Sequence, residues 1–452
     1  MREGECSKLE RSLFFPLERE DLTTLCVYYH WKDGLVTFRA AREWEEETDW
    51  SGYSRDFTCE HPLTTHTNYL GHQETWDLFK RYNLTGYLDD VVDLIKKGKH
   101  QGIECFFDQK QNIHFISNMH SNTLGINNGY HAIRSGGIRR HEPEDEEIDV
   151  IIDGLNLSRA MSLKNAGAQI PFGGSKITVQ CAAVDLSDYR TIGFLAYALD
   201  RTRSFTGPDM GFSPELADVI RREGYSINIA GGFDSKIGPT GGPTAYGVYL
   251  ALKEAADFRF GTKTLAGKAI VVQGTGAVGY PLVEKYLVKE DVTIFIADIL
   301  RDPVKKLVAQ FPSRVKEVDP KDVLSVEADI FVPCAMGGIL DEEAIKALKY
   351  SIIIGAANNQ LKANNQEEEI RLAKILDERG ILFQVDWMHN TGGVIAGMEE
   401  YMHQEKASPD NVMSHTEKVC KYGVRENFET AKKEGITPTE RAYRYYTSKI
   451  YR

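Results

Sequence analysis

A glycine-rich loop between a strand pattern and a helix pattern limits most strongly what this chain can fold into. The predicted strand Lys268–Gln273 leads into Gly274-Thr275-Gly276-Ala277-Val278-Gly279, and a helix-compatible segment follows. Glycines in such a loop allow a tight turn, let backbone N–H groups approach a pyrophosphate, and let the helix pack closely on the strand. The pattern predicts a dinucleotide site with cofactor contacts at Gly274, Gly276, Ala277, Val278 and Gly279.

An acidic residue strengthens this prediction. The next predicted strand, Val292–Ala297, ends at Asp298, which lies 298 − 279 = 19 residues beyond the last glycine. An acid at this place accepts hydrogen bonds from the adenosine ribose hydroxyls and repels a 2′-phosphate, which favours NAD. Arg301 is close enough in sequence to leave NADP open. The alternative is an ordinary turn in an α/β domain, with Asp298 capping a helix.

The segments around this loop alternate between short β-branched runs and helical periodicity. This alternation predicts a parallel, doubly wound sheet that follows a long helix. The helix is predicted at Pro243–Phe258, and the strands at Ala269–Val272, Val292–Ile296, Ile330–Val332, Ile352–Ile354 and Leu382–Val385.

The amino-terminal half has a different pattern, typical of an α+β domain. Two β-hairpins are predicted, and apolar residues recur at helical spacing from Ile148 until the helix ends near Gly167. The hairpins pair Leu25–Tyr29 with Leu35–Phe38 and Glu104–Phe107 with Ile113–Ile116. We therefore expect an α/β protein: an amino-terminal α+β domain for substrate binding and oligomerisation, then a Rossmann domain, with a cleft between them.

Composition excludes several classes of partner. Among the 452 residues, 66 Asp and Glu oppose 54 Lys and Arg, so the net charge of −12 gives no overall basic field to attract nucleic acid or anionic lipid. No apolar run approaches the roughly 18 residues that span a bilayer, and no apolar signal segment follows the acidic start. Seven scattered cysteines without a Cys-x-x-Cys pair are typical of free thiols in a reducing compartment. We expect a cytoplasmic protein without nucleic-acid or membrane partners.

One cluster resembles a metal site only superficially. Cys59, His61, His66 and His72 lie close in sequence, but their spacing matches no standard zinc pattern. We expect a solvated loop there and no metal.

Two lysines and an aspartate are candidates for catalysis. Lys164 lies where the predicted helix ends, Lys176 follows two glycines that remove side-chain bulk beside it, and Asp209 lies in a turn between two helical stretches. Taken alone, most lysines are solvated surface residues and such an aspartate caps a helix or turn. Two lysines so placed could share one cleft.

Several motifs in one order resemble those of the glutamate, leucine, phenylalanine and valine dehydrogenase family, most closely its leucine and phenylalanine branch. The similarity runs from about Tyr87 almost to the end of the chain. Besides the glycine loop, the motifs are Lys164-Asn165-Ala166, Pro171–Lys176, Gly207–Gly211, Pro243–Gly247, Pro333-Cys334-Ala335, Gly355–Gln360 and Asn390–Gly393.

The resemblance implies reversible oxidative deamination of an L-amino acid by a homo-oligomer. It implies that Lys164 and Asn390 bind the substrate carboxylate, that Lys176 stabilises an oxyanion, and that Asp209 is the general base. It places Ser135, Gly136 and Gly137 beside the substrate, and Thr244, Ala335 and Asn358 beside the nicotinamide and its ribose.

One departure concerns the substrate. Relatives that act on glutamate have a lysine where this chain has Ser135, so a buried glutamate side chain would lack its partner. The segment Asn127–Arg134 also looks longer than in the leucine-type enzymes. We expect a neutral aliphatic or aromatic substrate. The alternatives are an unusual amine, diamino acid or β-amino acid, and a non-catalytic dinucleotide-binding protein.

The expected boundaries follow from these motifs. Residues 1–86 form an amino-terminal extension of unknown role, residues 87–238 form the substrate domain with about 415–452 returning to it, and residues 239–414 form the dinucleotide domain. Hinges are expected at Gly238–Phe258 and Ser408–Cys420.

Overall fold

The computed structural model describes residues 11–44, 50, 68–122, 132–363 and 365–451, which form two compact units. The first unit comprises the described residues up to Asn165, together with Pro171–Gly238 and Glu400–Met402. The second unit comprises Ala166–Ile170, Pro239–Glu399 and the described residues from His403 onward.

A mixed sheet of nine strands forms the centre of the first unit in the described part of the chain. Its strand order is β3-β2-β1-β4-β5-β8-β6-β9, and β7 pairs with β8 outside this path. Both predicted hairpins are present as the antiparallel pairs β1–β2 and β4–β5. The strands are β1 Thr24–His30, β2 Leu35–Ala41, β3 Tyr69–Leu70, β4 Gly102–Asp108, β5 Ile113–Met119, β6 Arg134–Ser135, β7 Ile138–His141, β8 Gly173–Gln180 and β9 Ser204–Phe205.

The amino-terminal extension contributes to this sheet. β1 pairs antiparallel with β4, with Leu25 opposite Cys105, and both side chains lie in one buried apolar cluster. The cluster also takes Phe14 and Leu17 from the start of the described chain. Residues of the extension are therefore part of the core of the first unit.

Helices pack on this sheet through apolar faces that their ends help to fix. The Asp188 carboxylate accepts a hydrogen bond from Thr191 N at 3.2 Å, and Ser213 Oγ accepts one from Leu216 N at 3.2 Å, so each caps the helix that follows. The helices are α1 Phe15–Arg19, α2 His72–Arg81, α3 Thr85–Lys97, α4 Glu147–Gly167, α5 Tyr189–Arg201 and α6 Pro214–Glu223.

The second unit contains a parallel sheet in the order β12-β11-β10-β13-β14-β15. Counted within the sheet, this is the 3-2-1-4-5-6 order of a dinucleotide-binding Rossmann fold, which confirms the predicted fold class. The strands are β10 Ala269–Gln273, β11 Thr293–Ala297, β12 Val315–Glu317, β13 Ile330–Pro333, β14 Ile352–Ile353 and β15 Leu382–Phe383. The helices are α7 Gly241–Phe260, α8 Gly279–Lys285, α9 Arg301–Gln310, α10 Glu342–Ala347, α11 Gln366–Glu378, α12 Gly392–His403, α13 Pro409–Glu417, α14 Val424–Glu434 and α15 Pro438–Ile450.

The carboxy-terminal helices differ from the expectation. Residues 415–452 were expected to return to the substrate domain, but their described part belongs to the second unit. The reason is packing: Val424 and Phe428 of α14 lie in the same buried cluster as the strands of the parallel sheet. Arg425 also pairs with Asp257 of α7 at 2.7 Å.

Membrane-spanning helices and metal-binding clusters were both searched for in the described residues. Among the described helices, none combines the length and apolar composition needed to cross a bilayer. No group of three or more metal-binding side chains occurs in the described ranges, while Cys59, His61 and His66 lie outside them.

Candidate active site

A buried ion pair in the first unit joins two of the residues singled out in the sequence. Lys176 Nζ donates a hydrogen bond to Asp209 Oδ2. The Lys176 side chain is 5% exposed, because every residue of β8 is buried, whereas the Asp209 side chain is 28% exposed. An ammonium and a carboxylate are thus held together at a place that is open on the carboxylate side.

The backbone around β7 explains how Asp209 reaches Lys176. β7 runs parallel to β8, with Ile138 opposite Ile177. On its other side, Ile138 N donates to Gly207 O at 2.9 Å and Asp209 N donates to Ile138 O at 3.1 Å. β7 therefore lies between the strand that carries the lysine and the turn that carries the aspartate.

Arg139 of β7 is a second cation beside Asp209. Its Nη2 lies 3.4 and 3.3 Å from the two carboxylate oxygens of Asp209, and its Nη1 lies 3.1 and 3.0 Å from those of Asp153 on α4. His141 Nε2 lies 3.2 Å from Asp153 Oδ2. Charges of alternating sign therefore run from Lys176 through Asp209 and Arg139 to Asp153.

These neighbours set the protonation state of the pair. Burial alone would raise the pKa of Asp209, but the charges of Lys176 and Arg139 outweigh it and lower that pKa to about 2. Burial lowers the pKa of Lys176, and the Asp209 charge opposes that shift. Asp209 is accordingly an ionised acceptor at neutral pH, next to a lysine whose charge is costly to keep buried.

Gly136 and Gly137 provide the space that the pair needs. A Cβ on Gly137 would lie 2.7 Å from Lys176 Nζ, and one on Gly136 would lie 1.8 Å from Ser175 O. The sequence pattern predicted that the two glycines before Lys176, Gly173 and Gly174, make room for its side chain. That prediction was wrong, because these glycines face other groups: a Cβ on Gly173 would lie 1.6 Å from Ser121 O, and one on Gly174 would lie 2.2 Å from Ser162 N of α4.

Ser135 is buried, and Asn165 of the Lys164-Asn165-Ala166 motif contacts it. Asn165 Nδ2 donates to Ser135 Oγ at 2.9 Å, to Ser135 O at 3.3 Å and to Gly173 O at 2.7 Å. Lys164, the partly buried residue before Asn165, lies in the last turn of α4. The amide of Asn165 thereby ties β6 and β8 to the end of α4 that carries Lys164.

The glycine loop of the second unit has the geometry of a phosphate cradle. Gly274 has φ +95°, and a Cβ there would lie 2.8 Å from Ala335 Cβ, so this position requires glycine. A Cβ on Gly279 would lie 1.9 Å from Gly274 O, which keeps α8 close to the loop. A Cβ on Gly276 would meet nothing within 4 Å, which leaves open space beside the backbone of the loop.

Asp298 stands at the end of β11, beside this loop. Its Oδ2 accepts hydrogen bonds from Thr275 N at 2.6 Å and Thr275 Oγ1 at 3.2 Å, and its Oδ1 accepts one from Leu300 N at 2.8 Å. The carboxylate is partly exposed and fixed in orientation. The residues of this unit thus fit a dinucleotide: a backbone cradle and an oriented carboxylate at the carboxyl ends of parallel strands.

Asn390 and Asn358 form a second polar group in this unit. Asn390 Nδ2 donates to Asn358 Oδ1 at 2.9 Å, to Ala356 O at 3.1 Å and to Asp386 Oδ2 at 3.3 Å. The buried Asn390 Oδ1 has no hydrogen-bond partner among the described residues, so it is an acceptor still to be satisfied. Thr244 Oγ1 donates to Thr240 O at 2.9 Å, and Ala335 lies beside Gly274.

Comparisons with known proteins identify the family of the chain. Family models described as "Glu/Leu/Phe/Val dehydrogenase, dimerisation domain" and "Glutamate/Leucine/Phenylalanine/Valine dehydrogenase" match residues 110–223 and 238–452. A leucine dehydrogenase of Thermoactinomyces intermedius is 33% identical over 76% of this chain and 89% of its own. A phenylalanine dehydrogenase of Lysinibacillus sphaericus is 33% identical over 79% of this chain and 89% of its own.

Solved structures are similar to this chain as well. The crystal structure of L-tryptophan dehydrogenase from Nostoc punctiforme has a TM-score of 0.64 and 28% identity, covering 79% of this chain and 98% of that one. A hetero-hexameric glutamate dehydrogenase from Thermus thermophilus, at 18% identity and TM-score 0.59 over 80% and 96% of the two chains, shares the fold. This chain therefore belongs to the glutamate/leucine/phenylalanine/valine dehydrogenase family, and it is an amino acid dehydrogenase, an oxidoreductase that acts on CH–NH2 donors.

Proposed function

We propose that the protein catalyses the NAD-dependent oxidative deamination of a neutral, aliphatic or aromatic L-amino acid to its 2-oxo acid and ammonia, and the reverse reaction. The observation that carries the proposal is the buried Lys176–Asp209 pair with Arg139 beside it. It supplies a base and a cation at one point, which is what deamination at Cα requires.

The residues divide the work as follows. Lys164 binds the substrate carboxylate, which fixes Cα. When bound, NAD supplies the acceptor for the hydride that leaves Cα. Asp209 accepts a proton from the ammonium group and releases it to solvent, then accepts a proton from the attacking water and passes it to the departing nitrogen. Lys176 stabilises the oxyanion that develops after water adds to the imine.

The ion pair also explains how a strongly acidic carboxyl group acts as a base. With Lys176 and Arg139 both in place, Asp209 is ionised and weakly basic, since its pKa is lowered to about 2. When Lys176 turns its charge toward the oxyanion, Asp209 loses part of this stabilisation and its proton affinity rises. Asp209 is thereby a better proton acceptor while Lys176 is engaged with the oxyanion than it is in the resting site.

Replacing Gly137 with alanine is expected to impair catalysis more than folding. The new Cβ would lie 2.7 Å from Lys176 Nζ, the movable end of a side chain, so the ammonium shifts while the backbone stays. Displacing a catalytic group by about 1 Å lowers kcat by about 10²-fold. Steady-state kinetics with a thermal unfolding scan separates the two effects.

Gly136→Ala is the matched control for that variant. Its Cβ would lie 1.8 Å from the backbone oxygen of Ser175, so we expect lost stability, by about 1–3 kcal/mol of overpacking. A Gly137→Ala enzyme with wild-type kcat would show that Lys176 Nζ need not occupy its observed position.

Asp298 is proposed to select NAD over NADP. Replacing it with asparagine removes the charge that repels a 2′-phosphate and weakens the acceptor offered to the ribose. We expect the ratio of kcat/KM for NAD to that for NADP to fall about tenfold, which corresponds to ~1.4 kcal/mol. Asp302→Asn, in the first turn of α9, is the control with an equal charge change. An unchanged ratio in Asp298→Asn would exclude this role.

The substrate class rests on Ser135 and on the relatives. Ser135 offers no charge to a glutamate side chain, and its hydroxyl is bonded to Asn165. The relatives named above at 28% identity or more are leucine, phenylalanine and L-tryptophan dehydrogenases, whereas the glutamate dehydrogenase is 18% identical. The test is NAD reduction with a panel of neutral L-amino acids, L-glutamate, a diamino acid and a β-amino acid. We expect kcat/KM for the best neutral substrate to exceed that for glutamate by more than about tenfold; a preference for any charged amino acid would contradict the proposal.

Two further properties complete the proposal. A homo-oligomer is supported by the match to a dimerisation domain, and light scattering of the purified protein tests it. A cytoplasmic location is supported by the free cysteines among the described residues, including the buried Cys26, Cys105, Cys181 and Cys420.

A further inference from the structure

Arg139 connects the base to helix α4. Its two terminal nitrogens lie 3.0–3.4 Å from the carboxylate oxygens of Asp209 and Asp153. The planar guanidinium can serve two carboxylates at once, which a lysine ammonium on a flexible stem cannot do with the same geometry. The side chains involved are partly buried, which makes their interaction less screened by solvent than that of a surface pair.

Asp153 and Lys164 are on the same face of α4. They are 164 − 153 = 11 residues apart, about three turns at 3.6 residues per turn, and the rise between them is about 16 Å. The helix thus holds the anchor of Arg139 at one point and the proposed carboxylate ligand at another. A single rigid element therefore sets both positions.

Close contacts at two glycines hold α4 against the sheet. A Cβ on Gly174 of β8 would lie 2.2 Å from Ser162 N, and one on Gly154 of α4 would lie 2.1 Å from Asn118 Nδ2. Asn118 Nδ2 in turn donates to Lys176 O at 3.2 Å. Both positions require glycine, because α4 lies directly against β8 at Gly174 and against the Asn118 side chain of β5 at Gly154, so the helix that carries Asp153 is closely packed on the strand that carries Lys176.

We propose that Arg139, anchored by Asp153, is a positioning residue that holds the Asp209 carboxylate in its reactive orientation when Lys176 turns to the oxyanion. This inference rests on the proposed function, because it assigns a task within that reaction. Lys176 and Arg139 share Asp209 in the resting site. During the step in which Lys176 is engaged elsewhere, Arg139 is the cation that retains Asp209, beside the backbone N–H of Met210. Asp153 keeps the guanidinium from following the carboxylate.

The charged surroundings are consistent with this task. Three charged groups surround Arg139 of β7: Asp209 in the turn before α6, Lys176 on β8 and Asp153 on α4. At the far end of this group, His141 Nδ1 of β7 lies 3.6 Å from Asp145 Oδ2, before α4. Arg139 therefore stands between two acids and is opposed by one nearby lysine. The two cations, Arg139 and Lys176, are thus balanced by the two carboxylates, Asp209 and Asp153.

The test is chemical rescue of Arg139→Ala. We expect kcat to fall at least tenfold with a smaller change in the amino-acid KM, because Lys164 still binds the carboxylate. Millimolar guanidinium chloride is expected to raise the kcat of Arg139→Ala several-fold, while sodium chloride at equal ionic strength is expected to leave it unchanged. Arg139→Lys should recover less than guanidinium does, since an ammonium cannot bridge both acids.

The controls separate positioning from folding and from the function itself. Lys176→Ala should gain nothing from guanidinium, and Asp153→Asn should lower kcat in the same direction as Arg139→Ala without response to guanidinium. A kcat for Arg139→Ala within twofold of wild type, or a loss that guanidinium fails to restore in a folded variant, would overturn the inference and leave the proposed function standing. An inactive wild-type enzyme would overturn both.

Discussion

Replacing Asp209 with asparagine is expected to lower kcat for oxidative deamination by about 10³-fold while leaving NADH binding unchanged. Asparagine keeps the size of the side chain and an oxygen that can accept the hydrogen bond from Met210 N, observed at 2.7 Å, but it cannot take up a proton. The glycine loop and Asp298, which are the proposed cofactor contacts, belong to the other unit. Steady-state kinetics and fluorescence titration with NADH measure the two quantities.

Asp153→Asn is the matched control for this substitution. It removes a carboxylate of the same chain of charges that contacts Arg139 but not Lys176. We expect its kcat to fall far less than that of Asp209→Asn. A kcat for Asp209→Asn within tenfold of wild type would exclude Asp209 as the general base.

Replacing Lys176 with methionine is expected to lower kcat by about 10²- to 10³-fold, the effect of removing a donor that stabilises a developing oxyanion. Methionine fills a similar volume in the buried β8. The unfolding temperature should change little, because Asp209 keeps Arg139 and Met210 N as partners.

A comparison with Lys164→Ala distinguishes the two lysines. Lys164→Ala is expected chiefly to raise KM for the amino acid, since its proposed role is to bind the carboxylate in ground state and transition state alike. Lys176→Met should act on kcat. If both variants changed KM alone, Lys176 would be a binding residue and the oxyanion role would fall.

Local patterns in the sequence were sufficient for the dinucleotide-binding unit. The strand before Gly274, the loop, the helix after it and Asp298 all lie within about thirty residues, and each depends on its immediate neighbours. The Thr275–Asp298 hydrogen bonds connect the two ends of that segment. The parallel sheet could be predicted because strands alternate with helices throughout.

Contacts that depend on register could not be predicted in this way. Gly137 makes room for the Lys176 ammonium, and Gly173 and Gly174 do not, because β7 runs parallel to β8. No local sequence pattern predicts that strand pairing. Asp153 meets Arg139 only after α4 packs on the sheet. The amphipathic face of α14 likewise predicts burial, but only the packing of Phe428 shows which sheet it covers.

The most direct test of the central claim is to measure NADH and ammonia in one reaction with the best neutral L-amino acid. If the Lys176–Asp209 pair catalyses oxidative deamination, the two products form in equal amounts, and Asp209→Asn abolishes both together. NADH formed without ammonia, or no NADH with any amino acid, would contradict it.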